Sequence, residues 1–263
     1  MLLSQANSTL ERERKFSFRI NNFDFAAYNN GVEKITIMQN GFDGLYMSYL
    51  LGKVRERFSF LPSVCDIQKS GDRTEIAFKT EREYCPYVRK YTEEHIADVL
   101  AVGYKYEYFD KRLALPLLTK MQRRLLLTAL VAADYKEDRT FIVRRIRGFE
   151  NYCLDGLFHF RLQDLKKRWE EILDYIPADM GEASMEGFIE FLAEDGEGKI
   201  FLKDGKVYDE EYRVLTKSLL TGVESPIGEI LLGGAERVYC FGETDSETAA
   251  FLKKYYREKA VFC

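Results

Sequence analysis

The sequence predicts an α+β fold, with a helical middle flanked by a small N-terminal βαββ unit and a C-terminal strand-helix-strand unit. Three observations predict it. Alternating β-branched runs broken by glycine-centred turns crowd both ends of the 263-residue chain. From about 86 to 192 strand signals fade, and apolar residues recur every three or four positions. With 46% hydrophobic residues, the chain has enough apolar side chains to bury a substantial core.

At the N-terminal end, Val32–Met38 alternates and is rich in β-branched residues, which predicts a strand. Asn40-Gly41-Phe42-Asp43-Gly44 breaks it, and Leu45–Phe58 resumes with helical spacing. Ser63–Gln68 and Thr74–Lys79 flank Lys69-Ser70-Gly71-Asp72, which has the composition of a hairpin turn. The stretch before Lys15 lacks the basic-then-apolar order of a secretion signal and reads as a frayed end.

In the middle, Val88, Tyr91, His95 and Val99 share one stripe, and Leu113, Leu117, Met121 and Leu125 another. The apolar run Leu125–Ala133 is fenced by Arg123-Arg124 and Asp134. It is far short of the ~20 residues a membrane span needs, so it predicts a buried helix and no membrane span. Phe158, Leu162, Leu165, Trp169, Ile172 and Ile176 form a continuous helical stripe ended by Pro177, and a shorter helix is expected over Met185–Leu192.

Toward the C-terminus, Lys199–Leu202 and Lys206–Tyr208 flank a compact turn. Glu210–Leu220 has helical spacing; Ser225-Pro226 starts a further helix and Gly233-Gly234 stops it. Arg237–Phe241, Thr244–Tyr256 and Ala260–Cys263 read as strand, helix and strand, with Thr244 and Glu247 as a capping box. No repeat or low-complexity linker intervenes. The regions 1–85, 86–195 and 196–263 are expected to be parts of one body.

The net charge of -4 gives no global pull toward nucleic acid or anionic lipid. Five cysteines at 65, 85, 153, 240 and 263 show neither a C-x-x-C nor zinc-ligand spacing, which predicts a reduced, cytoplasmic chain with no metal site and no cofactor. Charge is nevertheless uneven along the chain. Residues 111–147 carry ten bases and three acids, a net of +7, while 182–211 carry ten acids and three bases, a net of -7. Either block could be a solvated face, half of an internal match, or a partner surface.

Candidate sites are few. The Gly41–Gly44 turn lacks the lysine and hydroxyl of a P-loop and the third glycine of a dinucleotide turn, so it reads as an ordinary strand-to-helix turn. His159 falls off the Phe158–Trp169 stripe with only Asp155 four residues before it, and is expected at the solvent edge. His95 is expected to be a satisfied core histidine. Arg161, between Phe160 and Leu162, is expected to be a structural residue with a carboxylate or carbonyl partner if the fold buries it. No catalytic residue stands out.

The stretch Asp155-Gly156-Leu157-Phe158-His159-Phe160-Arg161-Leu162, with Asp164-Leu165 and Glu170-Glu171-Ile172 after it, resembles the central motif of the YtxC-like family of sporulation proteins. Phe188-Ile189-x-x-Leu192 and the block from Ala235-Glu236-Arg237-Val238 to Ala260-Val261-Phe262-Cys263 follow in the same order, so the resemblance covers roughly 135–263. The chain departs from the family pattern at Ala193-Glu194-Asp195-Gly196, Glu236 and Phe241. The resemblance implies a cytoplasmic sporulation protein with no assigned reaction. The reading that follows is a non-enzymatic interaction or regulatory protein of the sporulation programme, with a protein partner. The alternative is a nucleic-acid-binding protein using the basic 111–147 region, through Arg123, Arg124, Arg144, Arg145 and Arg147.

Overall fold

The computed structural model describes residues 14–19, 31–41, 44–61 and 63–263. In chain order these form β1 (Arg14–Arg19), β2 (Val32–Asn40), α1 (Leu45–Phe58), β3 (Ser63–Ser70), β4 (Arg73–Glu81), α2 (Cys85–Asp98), α3 (Lys105–Asp110), α4 (Lys120–Ala133), α5 (Tyr135–Ile146), β5 (Asn151–Cys153), the single turn α6 (Leu154–Gly156), α7 (Gln163–Asp174), α8 (Glu182–Glu194), β6 (Lys199–Lys203), β7 (Lys206–Tyr208), α9 (Pro226–Gly233), β8 (Arg237–Phe241), α10 (Ser246–Tyr255) and β9 (Ala260–Phe262). Val99–Tyr104 and Leu157–Arg161 are π-helical, and Lys217–Thr221 is a 3-10 turn. The fold class is α+β, as the pattern predicts. The chain divides into two compact units, Met1–Thr92 with Gly148–Leu157, and Glu93–Arg147 with Phe158–Cys263.

The first unit is built on a five-stranded sheet ordered β1-β3-β4-β2-β5. The β3–β4 hairpin is closed by Gly71, whose φ of +58° suits the residue without a Cβ. Ile35, Ile37, Ile76 and Phe78 alternate onto one face, where Leu50, Val54 and Phe58 of α1 are also buried. Two strands depart from expectation. Lys15 lies in β1, which pairs antiparallel with β3, and residues 1–13 of the expected frayed end fall outside the described residues. β5 comes from the stretch read as mostly helical: Gly148–Leu157 belongs to this unit, and Asn151–Cys153 pairs parallel with Thr36–Met38. Three residues are too short a run for period-2 alternation to register.

The second unit surrounds Leu126, Leu127, Ala129, Leu130 and Val131 of α4 with α3, α8 and α9, and carries a four-stranded sheet ordered β7-β6-β8-β9. β6, β8 and β9 run parallel, and Ile200, Leu202, Val238 and Cys240 point into the core. Ser225 caps α9 by accepting from the Gly228 amide, with Pro226 as the first helical residue and left-handed Gly234 at the end, as read from the sequence.

Four expectations are corrected here. α4 starts only at Lys120, where Thr119 and Gln122 form a reciprocal capping box, so Leu117 and Met121 are exposed and do not join a buried stripe. The helix expected over Glu210–Leu220 is a loop followed by the 3-10 turn, because Asp209 accepts amides of Glu211 and Arg213 and folds the chain back first. α10 is capped by Asp245, one residue after Thr244; a shorter carboxylate reaches the Glu247 and Thr248 amides. The Phe158–Ile176 helix is split, π-helical through Arg161 and regular from Gln163. Its stripe survives the split: Phe158, Leu162, Leu165 and Trp169 are buried.

Candidate functional site

The most chemically distinctive residues of the second unit lie on either side of the Val99–Tyr104 π-helical segment. π-bulges insert an extra residue into a turn, which re-aims the side chains at its ends. Asp98 and Lys105, the residues flanking the segment, are both buried. Each meets α5.

Asp98 accepts from Tyr135 Oη at 2.6 Å and from Arg139 Nε at 2.8 Å, and faces His95 Nδ1 at 3.0 Å. Burial pushes its carboxyl up. The His95 bond and the Arg139, His95 and Lys217 charges outweigh this and hold it well below the usual carboxylate range. The same environment drives Tyr135 the other way: burial, then the Asp98 charge, raises its phenol. Lys217 lies over the Tyr135 ring at 4.6 Å, its ammonium held below the ordinary lysine value by burial. Beyond it, buried Glu229 accepts the Ser218 amide and is raised by burial.

Lys105 is fully buried. Its ammonium donates to Asp138 Oδ2 at 2.7 Å, stands 3.5 Å from Asp134, and lies 5.5 and 5.6 Å from the Phe109 and Trp169 ring centres. Trp169 Nε1 donates to the same Asp138 oxygen at 2.8 Å. Burial raises Asp138, against the lowering by Lys105 and Trp169. Tyr104, Tyr108, Phe158 and Trp169 pack around this pair, Tyr108 and Phe158 edge to face and the others tilted.

Asp98 and Asp138 have their donors and line none of three surface cavities of this unit, whereas Glu229 Oε2 is buried without a hydrogen-bond partner among the described residues. Networks such as those of Asp98 and Asp138 perturb pKa values for structural reasons. Reading along the chain missed them, although one signal was there: Asp98 and Lys105 bracket an uncharged run, Val99–Tyr104, where a charge on each side of a helical core has to be paired.

The nominated arginines fall in different places. Arg123 is committed internally, donating to the Leu113 and Asp110 carbonyls and to the Asp110 carboxylate, so it ties down the 111–118 loop. Arg124, in the same turn of α4, lines a cavity together with Tyr106. Arg144, Arg145 and Arg147 are exposed at the far end of α5; Arg145 pairs with Asp164 at 2.8 Å. α4 and α5 are joined through Asp134 alone, with Arg123 and Arg124 in the first turn of α4 and Arg144, Arg145 and Arg147 at the end of α5.

The two charge blocks meet once, at Lys136 and Glu197, 2.7 Å apart. Otherwise each finds partners elsewhere. Glu182, Glu186, Glu190 and Glu194 form one ridge along α8 by their four-residue spacing, and Lys254 pairs with Glu186 while Arg257 pairs with Glu190. That ridge is internal glue for the C-terminal segment.

His159 is exposed, as expected, and half-buried His95 is satisfied by Asp98. Asp155, the only carboxylate near His159 in sequence, instead accepts the Asn40 amide at 2.7 Å, at the Gly41 turn. Phe42 and Asp43 of that turn lie outside the described residues. Arg161, expected to have a carboxylate or carbonyl partner if buried, is exposed beside Phe160, itself 81% exposed, and is not without an interaction.

A cavity of about 320 Å³ opens between α4 and the starts of α9 and α10. Met121, Leu125, Ile227 and Leu231 give it an apolar body, Arg124 and Tyr106 one wall, and Glu224 and Glu247 an acidic rim. Neither of those glutamates has an ion-pair partner among the described residues. No family model, no curated protein and no solved structure matches this chain. The likeness to the YtxC-like family therefore rests on the quoted residues, and the cavity's chemistry has to speak for itself. Among the described residues no helix is long and apolar enough to cross a membrane, and all five cysteines are free thiols.

Proposed function

We propose that this chain is a non-enzymatic interaction or regulatory protein of the sporulation programme, acting in the cytoplasm by docking a partner protein. The carrying observation is the cavity between α4, α9 and α10, apolar within and acidic at the rim. It suits a partner segment that inserts one apolar side chain and sets a basic neighbour against Glu224 and Glu247. The perturbed carboxylates support binding over catalysis, since Asp98 and Asp138 are each held by their own donors and do not line this cavity. The free thiols suit a reducing compartment.

The test is complementation. In an endospore-forming host that carries the gene, its disruption should lower the yield of heat-resistant spores, and the intact gene should restore it. Met121→Glu, at an exposed position of the cavity mouth, should leave the melting temperature unchanged and fail to restore sporulation. Full restoration by Met121→Glu together with Leu125→Asp would sink the docking site; normal sporulation after disruption would sink the reading altogether.

A further inference from the structure

We infer that the solvent face of the β7-β6-β8-β9 sheet is a stacking platform for single-stranded nucleic acid. The inference is independent of the cavity between α4, α9 and α10, and of the arginines in 111–147.

Strand alternation builds the platform. In β6, Ile200 and Leu202 point to the core, so Lys199, Phe201 and Lys203 point outward. In β8, Val238 and Cys240 point inward, so Arg237, Tyr239 and Phe241 point outward. The register sets Phe201 beside Tyr239 on adjacent central strands, and beside Tyr208 of β7. The Phe201 ring lies 5.7 Å from Tyr239 and 6.3 Å from Phe241, both at 32°, so three rings form one shallow aromatic row. Exposing such a row costs hydration free energy that a buried arrangement would recover, which marks it as a binding surface.

The charges around the row choose the ligand. Register places Lys199 beside Arg237 at one end of the row, and Lys203 beside Lys206 at the other. All four are exposed, and Lys199, Lys203 and Lys206 have no ion-pair partner among the described residues. The nearby acids are mostly engaged: Glu210 accepts the Lys199 amide, Glu211 pairs with Arg213, and Glu236 lies 3.9 Å from Arg237. Aromatic faces flanked by cations are what bases and phosphates need. Stacking on adjacent strands of a four-stranded sheet is a known solution for unpaired bases, whose faces are hidden in a duplex.

One residue already occupies the platform. Tyr212 stacks on Phe201 at 4.9 Å and 7°, close to the geometry a base would adopt. Its φ of +57° is a left-handed conformation that a tyrosine rarely takes. The loop enforces it: Asp209 accepts the Glu211 and Arg213 amides and the Arg213 Nε, while the Tyr212 amide donates to the Asp209 carbonyl. Tyr212 is 68% exposed and covers only one ring, so it is a displaceable cover.

The experiment is fluorescence anisotropy of the full chain with labelled oligo-dT and oligo-U, against a duplex of equal length, over a range of salt. Single strands should bind, the duplex much more weakly, and affinity should fall as salt rises. Phe201→Ala and Tyr239→Ala should each weaken binding roughly five- to a hundredfold, the range for losing one stacked base. Lys199→Ser with Lys203→Ser should flatten the salt dependence. Tyr212→Gly removes the cover at a backbone angle glycine accepts, and should tighten binding. No single-strand binding at low salt, equal binding of duplex, or binding unchanged in Phe201→Ala with Tyr239→Ala would overturn the inference. Phe201 and Tyr239 are half-buried, so melting temperature is measured for each variant to confirm that the fold survives. Loss of sporulation in Met121→Glu with unchanged oligonucleotide binding would separate this surface from the cavity.

Discussion

The phenolic oxygen of Tyr135 stands 2.6 Å from Asp98 Oδ1, and Arg139, one helical turn later, reaches the same oxygen at 2.8 Å. Two residues of α5 thus converge on the last residue of α2, and His95 completes the set from α2 itself. A carboxylate buried to this extent persists only because its donors outweigh its desolvation.

The pH dependence follows. The Asp98 carboxyl is lowered in the folded state, and an unfolded aspartate titrates near 3.9. Its stabilising contribution is therefore fully present above about pH 4 and is lost as pH falls toward the folded value. Asp98→Asn should lower stability by about 3 kcal/mol at neutral pH, because it leaves part-buried Arg139 with only the more distant Glu94, 3.8 Å away, as an anion. It should also flatten the acid limb of stability against pH. Urea unfolding at a series of pH values, followed by Trp169 fluorescence, measures both.

Lys105 and Asp138 should behave as a pair. Lys105→Met alone strands a buried carboxylate and should cost about 3–5 kcal/mol. Adding Asp138→Asn keeps an acceptor for Trp169 Nε1 and removes the charge, so the double variant should recover a large part of that loss. A double-mutant cycle by chemical denaturation reads the coupling; additive losses would show that the pair is not coupled.

Arg123 should prove structural. Arg123→Ala leaves the Leu113 and Asp110 carbonyls without their donor, and should lower stability by about 1–3 kcal/mol. Proteolysis should then nick the 111–118 loop sooner. Oligonucleotide affinity should not change, in contrast to Phe201→Ala.

Gly196 is a matter of room. A Cβ there would stand 2.4 Å from the Ala235 carbonyl oxygen and 2.6 Å from its carbon, both backbone atoms that cannot swing aside. Gly196→Ala should cost about 1–3 kcal/mol by forcing apart the segments before β6 and β8, measured as a fall in melting temperature.

Much of the fold was legible because it is written in local periodicities. The β3–β4 hairpin, the buried Leu126–Val131 run and the Ser225-Pro226 start with its Gly234 stop each depend on residues within one or two turns of each other. The misread stretches share a different cause. Glu210–Leu220 has helical spacing, but Asp209 captures its first amides; Phe158–Ile176 has helical spacing throughout, but its first turn is π-helical. Neither effect leaves a trace in apolar spacing.

The sequence by itself determined the α+β class, the two opposed charge blocks, the Phe158–Trp169 stripe and the alternation that later makes one sheet face aromatic. Only the tertiary structure decided what these features meet. It sent Asn151–Cys153 back to β2, turned Glu186 and Glu190 of α8 onto Lys254 and Arg257, and left Lys199, Lys203 and Lys206 around Phe201 with no ion-pair partner among the described residues. The physical reason is range. Periodicity says which side of an element is apolar, whereas pairing and exposure depend on residues tens of positions away, such as the 37 between Tyr135 and Asp98.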